Sequence, residues 1–141
     1  MIPSAIYAAL LFTVVLLVTA AYFLMGGLPL LILKHDTPLD ARFVHGFFNI
    51  YYLSTIGAAT AASASYALSG RFAFAVGTAL IASLAAVLRN KLMPAMAAAG
   101  GQIQSSDAKA VQRFRRLHVG ALLVNVAQLV VLVWGLTRIK L

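Results

Sequence analysis

Apolar runs of about 20 residues or more alternate along this chain with short stretches that gather almost all of its charge. Runs of that length suit helices that cross a bilayer, and the pattern predicts four of them, at about 5–33, 41–69, 72–99 and 106–139. Gly26, Gly27 and Pro29 interrupt the first run and predict a bend or loosening there. Pro38 and Asp40 suit the opening of the second helix, and Gly70-Arg71 reads as a tight hairpin turn. The third helix leaves the lipid near Leu88 and continues to Ala99, where Gly100-Gly101 is expected to end it. Ser105, Ser106 and Asp107 are N-cap residue types for the fourth. Trp134 falls where an interfacial anchor belongs. The fold class expected is all-α, an integral membrane four-helix bundle forming one domain over residues 1–141.

Composition strengthens that reading. The chain is 62% hydrophobic and 10% charged, where soluble domains carry about 25% charged residues. Mean hydropathy is +0.95. The net charge of +8 lies beside the apolar runs, which suits anchors against anionic headgroups of the lipid bilayer rather than nucleic acid. Lys34, Arg42, Arg89, Lys91, Lys109, Arg113, Arg115 and Arg116 flank the first and third connections. Only Arg71, Arg138 and Lys140 lie on the other side. The positive-inside rule then puts both termini on the non-cytoplasmic side of a bacterial inner membrane, crossed four times. With no cysteine, disulfides, thiolate metal sites and a Cys nucleophile are excluded. The Met1-Ile2-Pro3-Ser4 start lacks the basic region of a signal peptide, so the first apolar segment is expected to be retained.

Within the apolar runs, polar residues fall into stripes. At 100° per residue, His45, Asn49 and Tyr52 share one face of the second helix, with Ser63 and Tyr66 farther along it. Phe114, His118, Ala121, Asn125 and Gln128 share a face of the fourth. Polar groups in hydrocarbon must find partners, so both stripes are expected to face the interior. His45 and His118 lie close to the same cytoplasmic boundary and could face one another. Three readings follow. One is an interhelical hydrogen-bond network of His45, Asn49, His118 and Asn125. A second makes His45 and His118 cofactor-binding residues, as axial ligands of haem b or part of a metal site. The third is a ligand pocket for a lipid, quinone or aromatic molecule, with Asn49, Tyr52, Asn125 and Gln128 as its polar groups and Phe47, Phe48 and Tyr51 in its wall. Arg113, Arg115 and Arg116 read as a membrane-surface anchor, with headgroup binding as their functional alternative. Small residues four apart (Gly57, Ala61, Ser65; Ala75, Ala79, Ser83) suit close helix packing, within the bundle first and in a homo-oligomer or larger membrane complex second.

The segment Phe114-Arg115-Arg116-Leu117-His118-Val119-Gly120-Ala121-Leu122-Leu123-Val124-Asn125 resembles the signature of a bacterial four-helix membrane family of unknown function related to transmembrane protein two-hundred-five. Phe114, Arg116, Leu117, His118 and Asn125 match that signature; Gly120 stands two places after the histidine, where the family more usually has Gly directly after it. The Tyr51-Tyr52 pair and the Leu88-Arg89 to Met93-Pro94 stretch look familial as well. The resemblance implies a four-helix bundle with a polar centre and no known reaction. The chain is also similar to anthrone-oxygenase-like membrane proteins, which open their last helix, after a long connection, with a basic–x–x–His segment. That likeness implies oxidation chemistry on an aromatic substrate around His118. Arg42, His45 and Asn49 echo the membrane glutathione transferases, but the acidic residue expected after the Asn is Tyr52 here, and that family is rejected.

Neither a Ser/His/Asp arrangement, a phosphate-cradling loop nor an intramembrane carboxylate is present. The function expected is therefore that of a non-catalytic accessory or ligand-binding bundle. The alternative is a haem- or metal-assisted membrane oxidase or oxygenase acting on a hydrophobic substrate.

Overall fold

A computed structural model describes residues 2–34, 37–103 and 108–139, and all four of its elements are helices: α1 (Ala5–Leu30), α2 (Pro38–Leu68), α3 (Phe72–Gln102) and α4 (Ala108–Arg138). Three of them, α1, α3 and α4, are long and apolar enough to cross a membrane. α2 is as long as α3 and α4 but carries Asp40, Arg42, His45 and Asn49 in its first half. His35, Asp36 and the capping residues Ser105, Ser106 and Asp107 lie outside the described residues.

Each helix packs on two neighbours, α1 on α2 and α4, and α3 on α2 and α4, so that α1 and α3, like α2 and α4, lie across diagonals. The interior holds two clusters. One, toward the α1–α2 turn, centres on Phe23, Phe48, Tyr52, Met96 and Phe114. The other, toward the α2–α3 turn, centres on Leu16, Ala59, Ala62, Tyr66 and Leu132.

The elements start and stop for local reasons. Thr37 caps α2, its hydroxyl accepting from the Asp40 N–H at 3.3 Å, and Pro38 occupies the first turn, where no N–H is needed. The α2–α3 turn closes with the Gly70 N–H on the Ala67 carbonyl and the Arg71 N–H on the Tyr66 carbonyl. Gly70 takes φ 77° there, a conformation few side chains tolerate.

Two glycine pairs behave differently from the sequence expectation. α1 stays helical through Gly26-Gly27-Leu28-Pro29 and stops at Leu30 rather than Leu33. α3 runs through Gly100-Gly101 to Gln102 and does not end at Ala99. Three of these glycines are places of close approach. A Cβ on Gly26 would lie 2.7 Å from Phe47 Cζ, one on Gly27 2.6 Å from Leu122 Cδ2, and one on Gly100 3.1 Å from the Ala41 Cβ. The small-residue stripes are also rotated from expectation. Ala58, Ala59 and Ala62 of α2 and Ala75 and Ala85 of α3 are buried, whereas Gly57, Ala79 and Ser83 are exposed.

A Gly27→Ala substitution is expected to destabilise the protein by about 1–3 kcal/mol, because Leu122 is buried and cannot swing away freely. Gly57→Ala, where a Cβ meets nothing within 4 Å, is expected to be neutral or slightly stabilising. Thermal unfolding in detergent measures both, and the Gly27→Ala/Leu122→Ala double variant should lose less than the sum of its two single variants, because the shortened side chain no longer meets the new Cβ.

Candidate functional site

The α4 stripe expected from the sequence forms as written. Phe114, His118, Ala121, Asn125 and Gln128 are all buried, with His118 and Asn125 fully so. Its partner on α2 is a second stripe at the same three-and-four spacing: Val44, Phe48, Tyr51, Thr55, Ala58 and Ala62, every member buried. The two stripes face each other across the diagonal of the bundle, where backbones are too far apart to pack and side chains must fill the gap.

Tyr51 fills it. Its hydroxyl donates to Gln128 Oε1 at 2.8 Å and accepts from Asn125 Nδ2 at 2.9 Å. This chain leaves two buried atoms without partners, Asn125 Oδ1 and Gln128 Nε2. Reversing both amides runs the chain the other way, from Gln128 through the tyrosine to Asn125. The remainder is unchanged in kind, one acceptor and one donor. Leaving such a group unmet inside a protein costs about 1–3 kcal/mol. The centre is therefore complementary to a group that both donates and accepts.

An aromatic shell holds the tyrosine. Phe23 of α1 stacks on Tyr51 with ring centroids 3.9 Å apart and on Phe47 at 5.1 Å, and meets Phe48 edge-on at 4.7 Å. Outside this shell a groove of about 450 Å³ between α1 and α2 is lined by Thr19, Tyr22, Phe23, Phe47, Tyr51 and Ser54, among others. Tyr51 belongs to both places, its ring in the groove wall and its hydroxyl in the polar centre.

His118 lies about two turns from Asn125 but serves a different tie. Its Nε2 is 3.1 Å from the Gly27 carbonyl. A carbonyl only accepts, so this nitrogen carries the proton. The carbonyl is within reach because the Leu31 N–H bonds Leu28 instead of Gly27. Phe48 meets the imidazole edge-to-face at 5.0 Å. His45 faces other neighbours: it is half-buried and lines a groove toward α3 with Arg42, Met96 and Gly100. The imidazole Nε2 that an axial haem ligand would offer is, in His118, already engaged by the backbone of α1.

The remaining expected site residues are dispersed. Asn49 turns to α3 and accepts from Arg89 Nε at 3.1 Å through Oδ1. Tyr52 is buried against Phe48 and Tyr51. Thus Asn125 and Gln128 come together as a ligand pocket would need, but with Tyr51 in the position expected of Asn49 and Tyr52. The networked histidine–asparagine arrangement gives way to this tyrosine-centred one. Arg113, Arg115 and Arg116 are exposed; Arg115 donates to the Leu31 carbonyl at 3.0 Å and so caps the last turn of α1 with a cation.

Comparison of the chain with protein-family models, with curated proteins and with solved structures finds no match in any of the three.

Tyr51→Phe removes the hydroxyl on which both amides close, and is expected to cost about 1–3 kcal/mol. Tyr52→Phe is the control, since no hydrogen bond to the Tyr52 hydroxyl is found among the described residues. Equal unfolding temperatures for the two variants would remove the Tyr51 chain from any role in holding α2 against α4.

Proposed function

We propose that this chain is a multi-pass protein of a bacterial inner membrane, with both termini on the non-cytoplasmic side, that binds a hydrophobic ligand without catalysis. A single observation carries the ligand reading: a buried, unpartnered acceptor and donor, Asn125 Oδ1 and Gln128 Nε2, within an otherwise apolar bundle. The ligand class is a small apolar molecule bearing a hydroxyl, which can donate to one amide and accept from the other, with a flat ring to suit the Phe23–Phe47–Tyr51 wall. The groove between α1 and α2 supplies its path from the bilayer.

Helix lengths support the membrane placement. The 31 residues each of α2, α3 and α4 reach about 46 Å at 1.5 Å per residue, against a hydrocarbon thickness of about 30 Å. The surplus belongs at the end that carries Arg42, Lys91, Arg113, Arg115 and Arg116. α2, less apolar than its neighbours, is also the best covered, with ten buried residues against six to eight in the others. The relation to the family of transmembrane protein two-hundred-five belongs to the same proposal, supported by the inward turn of Phe114, His118 and Asn125.

The cysteine-free chain makes sidedness directly measurable. Phe72→Cys is expected to react with a membrane-impermeant thiol reagent on intact cells, and Lys34→Cys only after permeabilisation; the opposite pattern would invert the topology. For the ligand, solvent extracts of protein purified from its native membrane are compared by mass spectrometry with those of Asn125→Leu/Gln128→Leu. A small hydroxyl-bearing molecule is expected in the first and missing from the second. Extracts that do not differ would defeat the ligand reading, and an oxidation activity restored to deficient membranes by the purified protein would defeat the non-catalytic one.

A further inference from the structure

At the opposite end from the basic cluster, α3 and α4 part to leave a cleft of about 280 Å³. Phe74 and Ile81 of α3 and Leu132 of α4 supply its walls. The hydroxyls that reach it are already satisfied. Thr13 donates to the Ala9 carbonyl at 2.7 Å and pairs with Tyr66 at 2.9 Å, while Thr78 donates to the carbonyl of Phe74 at 2.8 Å. The cleft therefore asks for no polar group along its length. Among the described residues its single charge is at the mouth, where Arg138 stands over the Trp134 ring with Cζ 5.4 Å from the centroid, a cation–π contact that keeps the guanidinium beside the opening.

Two glycines shape the slot. Gly77 lines it from α3 and Gly135 from α4, and a Cβ on either would meet nothing within 4 Å. Both therefore face open space rather than a neighbouring helix, unlike Gly26 and Gly27. An occupant must be apolar for most of its length, narrow, and anionic at the end that lies level with an interfacial tryptophan. We infer that the cleft between α3 and α4 binds one phospholipid molecule, an acyl chain lying in the slot and the phosphate on Arg138. Guanidinium matches phosphate through paired donors, and chain burial supplies the rest of the affinity. The site rests on the membrane placement proposed above but not on the Tyr51 centre.

Trp134 is the only tryptophan in the chain and sits at the mouth, so its fluorescence reports occupancy. The full chain in dodecyl maltoside micelles is titrated with phosphatidylglycerol brominated on its acyl chains. Saturable quenching at one lipid per protein is expected. Gly135→Leu and, independently, Gly77→Leu should raise the half-saturation point about tenfold or more by filling the slot, with circular dichroism and unfolding temperature as checks on folding. Arg138→Gln should bring phosphatidylglycerol down to the affinity of brominated diacylglycerol, which lacks the phosphate. Quenching that only follows lipid mole fraction, or leucine variants that fold and titrate as the parent does, would overturn the site. Equal binding of both lipids by the parent would overturn the assignment of the phosphate to Arg138. A failure of the membrane placement would show separately, as protein that stays monodisperse without detergent.

Discussion

The approach of α1 to its two neighbours at Gly26 and Gly27 conditions everything built at that end of the bundle. Three of the helices are long and apolar enough to cross a membrane, and between such helices in lipid contact comes from close fit and from polar ties. Without side chains at these positions, the Phe47 ring and the Leu122 methyl reach the α1 backbone. The same approach brings the Gly27 carbonyl to His118 and the Leu31 carbonyl to Arg115. The helix ends just beyond, where the Leu31 N–H bonds Leu28, and this frees the Gly27 carbonyl for His118. A wider spacing here would separate Phe23 from Tyr51 and leave the diagonal between α2 and α4 unfilled.

The polar ties are spread over four pairs of helices. Thr13 and Tyr66 join α1 to α2. Ser63 donates to the Ala75 carbonyl and Arg89 to Asn49, both between α2 and α3. His118 and Arg115 join α4 to α1, and Tyr51 joins α2 to α4 across the diagonal. In an apolar medium such bonds give modest stability, about 0.6–2 kcal/mol each, and their larger effect is on register. The outer part of the α3–α4 seam opens instead into the cleft beside Arg138.

Much of this was readable from residue spacing. The number of helices follows from apolar runs set between charged turns. The α4 face from Phe114 to Gln128 follows from a period that no lipid-facing surface would use for His, Asn and Gln. What spacing cannot fix is how far a neighbouring helix is rotated about its own axis. On α2 a face through His45, Asn49 and Tyr52 is one residue, about 100°, away from the one through Val44, Phe48 and Tyr51, and both contain polar groups. The decisive signal was the small-residue run: Ala58 and Ala62 continue the Tyr51 stripe, whereas Gly57 and Ala61 lie off it. Glycine pairs were ambiguous for a related reason. Gly100-Gly101 suits a helix end and a helix crossing equally well in sequence, and the nearby Ala41 Cβ settles it as a crossing.

The two tyrosine-centred ties show why one end of the bundle reads as structure and the middle as a site. At the outer end the donors run from the Tyr66 hydroxyl to Thr13 and on to the Ala9 carbonyl. That chain terminates on backbone and asks for nothing more. In the middle the donors run from Asn125 to Tyr51 to Gln128, and the chain is open at both ends. A tie needed only to set register could be closed in the same way as the outer one, or replaced by well-packed apolar side chains at little cost. Two primary amides on either side of one hydroxyl cannot close on themselves in either orientation. They carry one acceptor and one donor in excess, buried next to an aromatic wall that opens toward the lipid. On the ligand reading proposed above, a third polar group that donates to one amide and accepts from the other completes that arrangement.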